Sequence, residues 1–412
     1  VVGLSSASSE IREGGDPDYD WVIVGGGVHG THVAQRLLDA GVDRNRLAIV
    51  ESTGELLGNF RERLRVARVG SLRSPYVHHV GTEPFSLENY AKSKRREDEL
   101  LPTRRNPRRP TVDLFLDHTD HIIGLRRLGE LVVEQEVTSV KYGDSAPLAV
   151  RTKTDELTSW RVLLAVGNAG APEPPGWAEE TGRVRHVWEG GEVENAKNTY
   201  VVGGGTTACS VAVSLARETG DATLVSRHGL RKAVVESDPR WLNWKHIEKE
   251  LHHLPVASEA RHERVREARN DGTVPYHLAE EVEEETEVGH LNRRVGEVTV
   301  AFEGDDGVFL RLNDGGTEEA ARVVLATGFG DVYRQPFVRS VAEDLDLATG
   351  HRGMPVLNDE TLGWRREDGK PSGVHATGAL AEGVLGAFAR NIATARRAGD
   401  RLTRIAREIL SS

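Results

Sequence analysis

One pattern occurs twice in this chain and leaves few folds open. An apolar, strand-like run ends in three glycines and passes into a stretch with helical spacing. The first copy is Trp21-Val-Ile-Val-Gly-Gly-Gly-Val-His-Gly30, and the second is Thr199-Tyr-Val-Val-Gly-Gly-Gly-Thr-Thr-Ala208. In the first, Gly25, Gly27 and Gly30 form G-x-G-x-x-G, with Val28 and His29 filling the turn. The first glycine permits a tight turn, the second lets a pyrophosphate approach the backbone, and the third lets helix pack on strand. The helix start then offers unpaired N–H groups and a partial positive charge to the anion. A helix is predicted over 32–40, with Val33, Leu37 and Leu38 on one face, and a second strand over 47–50. That strand ends in Glu51 and Ser52, about 26 residues after Gly25, where an acid binds ribose hydroxyls.

The second copy has Gly203, Gly205 and Ala208 at the corresponding places, with Thr206 and Thr207 opening a helix over 209–217. Its next strand, 222–225, ends in Ser226-Arg227-His228 and carries no carboxylate. A carboxylate there would repel a ribose 2′-phosphate, whereas Arg227 can pair with one; a solvated surface arginine is the bland alternative. The first cradle therefore reads as a site for FAD or NAD and the second as a site for NADP. Their separation of about 180 residues predicts an α/β chain with two Rossmann-like dinucleotide-binding domains. The NADP domain is inserted into the FAD domain. The expected boundaries are a flexible leader over 1–18, the first part of the FAD domain over 19–180, the NADP domain with a helical insertion over 181–330, and the rest of the FAD domain over 331–412.

Composition removes other classes. The net charge is −11, which argues against nucleic-acid or anionic-membrane partners. No apolar run reaches the ~18 residues of a membrane span. The start has no basic segment followed by an apolar one, so no signal peptide is expected. Cys209 is the only cysteine, which excludes a Cys-x-x-Cys pair within the chain and fits a cytoplasmic location. It sits in the second helix as a small packing residue. Sixteen histidines invite a metal reading, but His78-His79 point to opposite faces of an extended chain, and His118 and His121 lack a completing ligand, so no metal is expected. Residues 94–109 read as a solvated basic loop, 240–290 as polar helices, and the acidic run 280–287 as a surface face.

The chain also resembles the two-dinucleotide-binding-domain flavoproteins, nearest the N-hydroxylating and flavin-containing (class B) monooxygenases. Residues 163–170 (LLAVGNAG) and 323–330 (VVLATGFG), with Thr327 and Gly328, resemble the segments that link the two nucleotide domains. Residues 373–390 resemble the late flavin motif, with Gly378 and Ala379 near the flavin and a helix from about Gly383 aiming its dipole at it. Gly182-Arg-Val-Arg-His186 matches part of a family fingerprint, and His186 is otherwise a surface histidine. Ser71-Leu-Arg-Ser-Pro75 and Pro84-Phe-Ser-Leu-Glu-Asn-Tyr90 resemble a stretch of amino-acid N-hydroxylases. On this basis Arg73, Val137 and Gly167 join the cofactor set, and Arg73, His78, His79 and Asn89, with Tyr76, are candidates lining the flavin pocket. The lysine that holds the carboxylate in ornithine hydroxylases is absent: its place falls on Arg68 or Ala67. Ornithine and lysine are therefore not expected as substrates.

The resemblance implies FAD and NADPH as cofactors, and O₂ with a small molecule as reactants. One oxygen atom would pass to a nitrogen or sulfur through a flavin C4a-hydroperoxide. The alternatives are an NAD(P)H-dependent flavin reductase acting on a quinone or electron carrier, and an inactive nucleotide-binding protein. A homo-oligomer is compatible with the sequence.

Overall fold

The computed structural model describes residues 16–104, 107–143, 147–167, 172–189 and 191–410. Residues 1–15 of the expected leader over 1–18 and residues 168–170 of the first linking segment lie outside the described residues.

In chain order the elements that position the site are β1 (Tyr19–Val24), α1 (Val28–Asp39), β2 (Leu47–Glu51), α2 (Gly58–Val66), α3 (Val112–Leu125), β3 (Glu156–Leu164), β4 (Thr199–Val202), α4 (Thr206–Thr219), β5 (Ala222–Ser226), α5 (Tyr276–Val288), β6 (Arg322–Leu325), β7 (Pro371–Ala376) and α6 (Ile392–Leu410). β1 pairs in parallel with β2 and with β3, and β7 pairs in parallel with β3. Strand Val132–Glu134 extends this sheet beyond β2, and an antiparallel pair, Val137–Lys141 and Leu148–Thr152, folds back onto β3. The second sheet runs Leu291–Val295, β5, β4, β6, Val184–His186, with every neighbouring pair parallel. It lies in sequence between β3 and β7 of the first sheet. The chain thus leaves one doubly wound sheet, builds another, and returns.

The central parallel strands of both sheets are short apolar runs buried on both faces, the signature of parallel strands. Trp21 to Val24 and Leu47 to Val50 are all buried. Each such side chain is worth about 1.5–3 kcal/mol when fully removed from water. A three-stranded antiparallel unit, Val298–Glu303, Val308–Leu312 and Thr317–Ala320, flanks the second sheet. Residues 240–290 form helices as expected, among them Glu259–Ala268 and α5. Arg261, buried in the first of these, is clamped by both carboxylate oxygens of Asp359 and by the Gly383 and Leu254 carbonyls. Among the described residues no helix is long and apolar enough to cross a membrane.

One expected element is misplaced. The helix expected from Gly383 is a single turn, Glu382–Leu385. It stops at Gly386, whose φ is +80° and where a Cβ would lie 2.6 Å from the Trp241 ring. The long helix is α6, which begins only at Ile392 and packs along α1. A Cβ on Gly399 of α6 would already fall 2.8 Å from Arg36 Cγ.

Candidate functional site

The two glycine turns are closed by the same device. Gly25 has φ +104°, and a Cβ there would fall 2.6 Å from the Ala165 carbonyl oxygen. Gly203 has φ +156°, and its Cβ would fall 2.5 Å from the Ala326 carbonyl oxygen. Ala165 follows β3 and Ala326 follows β6, so each linking segment presses its backbone against a glycine turn. At Gly30 a Cβ would lie 2.0 Å from Gly25 O, so the third glycine is required by the chain's own packing. At Gly27 a Cβ would meet nothing within 4 Å. The space above Gly27 is open, as a cradle for a pyrophosphate requires.

That space belongs to a cavity of about 520 Å³. Of the residues expected at the cofactor, Gly25, Gly27, Val28, His29, Glu51, Ser52, Val137, Gly167 and Gly378 line it. The Glu51 carboxylate accepts from Gly26 N at 2.7 Å and from Thr53 N at 3.2 Å, which fixes it at the rim of the glycine loop. Sequence reasoning missed Asn59, Phe60, Arg63, Gln335, Thr377, Arg390 and Ile392, which also line the cavity. Arg63 is the notable one. It lies over the Phe329 ring at 4.9 Å, itself stacked on Trp188, and makes no ion pair among the described residues. A cation with no acid partner, facing a cradle, suits an anionic part of a dinucleotide.

One wall of the cavity is a hydrogen-bonded polar cluster. His29 Nδ1 lies 2.8 Å from Thr377 Oγ1, and its Nε2 lies 3.2 Å from Asn391 O. Burial pushes the His29 imidazole down to about 4, so it is neutral at pH 7. Asn391 Nδ2 donates to Ser74 Oγ at 2.9 Å and to Glu236 Oε1. The other oxygen of Glu236 is buried with no donor among the described residues. Nearby, buried Glu382 is paired with Arg269 and Arg390. Burial alone would raise its carboxyl, but the two guanidinium groups outweigh that and hold it below the usual range.

The second cradle is built from β4, α4 and β5. Thr206 Oγ1 donates to Thr273 O at 3.3 Å, and Thr207 is half-buried on the first turn of α4. At Gly205 the nearest atom a Cβ would meet is Gly272 Cα, 3.9 Å away. Ser226, in the place Glu51 occupies in the first cradle, donates to His228 O at 2.7 Å. Arg227 is exposed. His228 lies over Gly204, where a Cβ would be 3.3 Å from its ring, and Arg231 Nη2 donates to Asp271 O at 2.9 Å. Burial pushes the Cys209 thiol up to about 12, in keeping with a packing role. Thr327 donates to Glu173 O at 3.1 Å, and Phe329, after Gly328, bridges to Pro172, so the second linking segment runs beside residues 172–173.

Several expected placements need correction. None of Arg73, His78, His79 and Asn89 lines this cavity, nor does Tyr76. The Arg73 guanidinium is turned to the second unit and donates to the carbonyls of Ala233, Val234, Val235 and Thr273. His79 is buried against Arg396 and Pro84, and Asn89 is exposed. Only Ser74 of the 71–90 stretch reaches the cavity wall, through Asn391. Ala379 is buried, and Gly30 packs on Gly25. Arg68 is bound to Ser214, Val193 O and Glu218. His186 is buried, and the 94–109 stretch contributes buried Arg109.

The comparisons with known proteins agree with this architecture. An ornithine N-hydroxylase from Kutzneria sp. 744, solved with reduced FAD, NADP⁺ and L-ornithine, superposes with a TM-score of 0.76 at 15% identity over 96% of this chain and 100% of that one. An ornithine hydroxylase from Pseudomonas aeruginosa gives 0.71 at 18% identity over 95% and 99%. A bacillithiol disulfide reductase from Staphylococcus aureus gives 0.62 at 14% over 95% and 98%. At these identities the likeness is one of fold. No curated protein sequence matches the chain. The profile of the pyridine nucleotide-disulphide oxidoreductases matches residues 19–399, and with both nucleotide cradles inside that span the chain belongs to this family.

Proposed function

We propose that this protein is an FAD- and NADPH-dependent monooxygenase that adds one oxygen atom to the nitrogen of a small amine. The observation that carries it is the pair of matched cradles, one opening into a cavity closed by residues from both halves of the first sheet's unit. On this reading the cavity holds FAD and the second cradle NADPH. Bound flavin would supply the redox and oxygen-activating chemistry. The chain's own residues bind, orient and exclude water. Gly27 and the start of α1 take the pyrophosphate, Glu51 the ribose, and the neutral His29–Thr377–Asn391 cluster lines the far wall. The single high-pKa cysteine speaks against the dithiol chemistry in the family's name. The carboxylate of Glu236, with an oxygen lacking a donor, favours a cationic amine over a sulfur compound. The neighbouring N-hydroxylases support the same choice. The segments 19–180 and 331–412 are proposed as the FAD domain and 181–330 as the NADP domain.

The substrate is proposed not to be ornithine or lysine, because Arg68 is spent on α4 and Glu218 and leaves no cation at the offset where an amino-acid carboxylate would be held. A panel of amines, amino acids and thioethers, scored by NADPH oxidation and by hydroxylated product, checks this. Product from an amine lacking a carboxylate, tightly coupled to NADPH, is expected. Tight coupling with ornithine or lysine would refute the substrate claim. NADPH oxidation that yields only peroxide with every amine would replace the monooxygenase by a reductase.

NADPH is expected to be preferred over NADH through Arg227, whose exposed side chain follows β5 with no acid beside it. A charge-assisted pair with the 2′-phosphate is worth about 1.5–3 kcal/mol, or one to two decades in affinity. Arg227→Ala should raise the KM for NADPH by about that factor and leave NADH unchanged. Equal rates with both nucleotides in the parent protein would defeat the assignment.

A further inference from the structure

The cavity proposed for FAD has a wall that the glycine cradle does not explain. Gln335 and Arg390 line it, together with Thr377, Gly378 and Ile392. Arg390 Nη2 donates to Glu382 Oε2 at 3.2 Å, and Arg269 Nη2 donates to the same oxygen. The Arg390 side chain is 35% exposed, whereas that of Arg269 is 13% exposed and lies behind the wall. One buried carboxylate thus answers two guanidinium groups. The Tyr333 hydroxyl acts on the same carboxylate and adds no charge. The exposed Asp271 acts on Arg269 from the solvent side, where water and salt screen it. The cluster therefore carries an excess of positive charge, and its member on the cavity wall is Arg390.

Gln335 stands two residues after Tyr333. Its side-chain nitrogen is buried and has no hydrogen-bond partner among the described residues. A buried donor without an acceptor is costly, and the space this residue lines is the cavity. The acids of the cavity stand elsewhere. Glu51 ends β2 and is bound to Gly26 N, and Glu136, which follows the strand beside β2, pairs with Lys153. A cation and a donor thus share one stretch of wall. A flavin ring has one edge of carbonyl oxygens and ring nitrogens and another of methyl groups. Two-electron reduction with uptake of one proton leaves a negative charge on the first edge. A cation and a donor suit that edge, and suit it better once it is charged.

We propose that Arg390 and Gln335 set the redox balance of the bound flavin, facing the carbonyl edge of its ring and favouring the reduced, negatively charged form, with Glu382 holding the guanidinium in place. The inference rests on the reading of this cavity as the flavin site and does not depend on which substrate the flavin serves. The competing use of Arg390 is as a partner for the pyrophosphate. That role would hold oxidised and reduced FAD alike, whereas charge at the ring edge discriminates between them. By linkage, the potential of the bound flavin follows the ratio of the two affinities.

The test uses the purified full chain with FAD in excess of its Kd. It reads the reduction potential by equilibration with dyes of known potential, beside flavin content and the thermal midpoint. Arg390→Gln should weaken reduced FAD about tenfold relative to oxidised FAD, which lowers the potential by about 30 mV for a two-electron couple. Arg390→Lys keeps the charge and should stay within about threefold of the parent ratio. Gln335→Leu removes the donor alone and should move the ratio about threefold in the same direction as Arg390→Gln. Glu382 keeps Arg269 in every variant, so the fold should hold. An unchanged potential in Arg390→Gln, with or without weaker flavin binding, would overturn the inference and leave Arg390 to the pyrophosphate. A lysine variant that falls as far as the glutamine one would overturn it too, since shape and not charge would then be at work. A parent protein that takes up no flavin would fail earlier, before any potential is read, and would overturn the flavin reading of the cavity as well.

Discussion

A Gly27→Val protein is expected to purify folded and without its yellow colour. The backbone at Gly27 has φ −68° and ψ −171°, a conformation open to any residue. A Cβ there meets no atom of the chain within 4 Å. The fold therefore loses nothing when a side chain is added. What the valine occupies is the space above the start of α1, where a pyrophosphate would need to touch the backbone and its N–H groups. Affinity for FAD should fall at least about a hundredfold, or ~2.7 kcal/mol. Gly30→Ala supplies the contrast. Its methyl would sit 2.0 Å from Gly25 O, so α1 must move off the loop or the loop must break. That variant should lose about 3 kcal/mol of stability, as overpacked cores do, and flavin with it. The measurement is flavin content by absorbance beside the thermal midpoint. A fully yellow Gly27→Val protein would remove FAD from the first cradle, and an unperturbed Gly30→Ala protein would discredit the packing described for α1.

The different roles of those two glycines were legible in the sequence, and the structure adds the distances that separate them. Local features were legible because local chemistry sets them. The run Trp21 to Val24 has no alternative to a buried strand, and a glycine at Gly25 or Gly203 marks the turn that follows it. The repeat of strand, turn and helix also carried the two-sheet architecture, because parallel strands need a crossover helix. What failed was assigned by analogy of position and not by chemistry. Arg73, His78 and His79 stand in a segment that resembles a substrate wall, but a side chain's direction is settled by what packs across from it. Arg73 finds four carbonyls of the second unit, and His79 finds Arg396. Likewise Glu236 and Asn391 meet across about 155 positions of chain, with no local pattern to announce either. Arg109 sat in a stretch whose many charges suggested solvent, and only the fold over α5 buries it.

Acid should unfold this protein well above the pH at which its carboxylates titrate. The chain buries an unusual number of imidazoles. Desolvation, the largest cause in each case, pushes His29, His78, His118 and His375 down to about 4 and His32 and His79 to about 3. Arg396 adds to the shift at His32, His78 and His79. The geometry agrees. His32 Nδ1 lies 2.8 Å from Val80 O, His118 Nε2 lies 2.8 Å from Ser86 Oγ, and His79 Nε2 lies 3.0 Å from Arg396 Nη2. Among the described residues none has a carboxylate in hydrogen-bonding contact to stabilise a charged ring. In the unfolded chain these groups titrate near 6.5. Between that value and about 4 the unfolded state binds protons that the folded state does not. Their stabilisation is complete above pH 6.5 and is lost as the pH falls toward 4. Each contributes about 1.4 kcal/mol per pH unit in that window. Two of them alone, over one and a half units, would remove ~4 kcal/mol from a net stability of about 5–15. The thermal midpoint should be flat from pH 8 to 6.5 and then drop by on the order of 10 °C by pH 5. The ion-paired acids, held below their usual range, begin to matter only further down, so the window isolates the histidines. Replacing His118 with Gln, which can still bond Ser86, should flatten the slope by about 1.4 kcal/mol per pH unit. A midpoint that does not move between pH 6.5 and 5 would show that these rings are hydrated or charged in the folded protein, and the buried cluster around Arg396 would have to be redrawn.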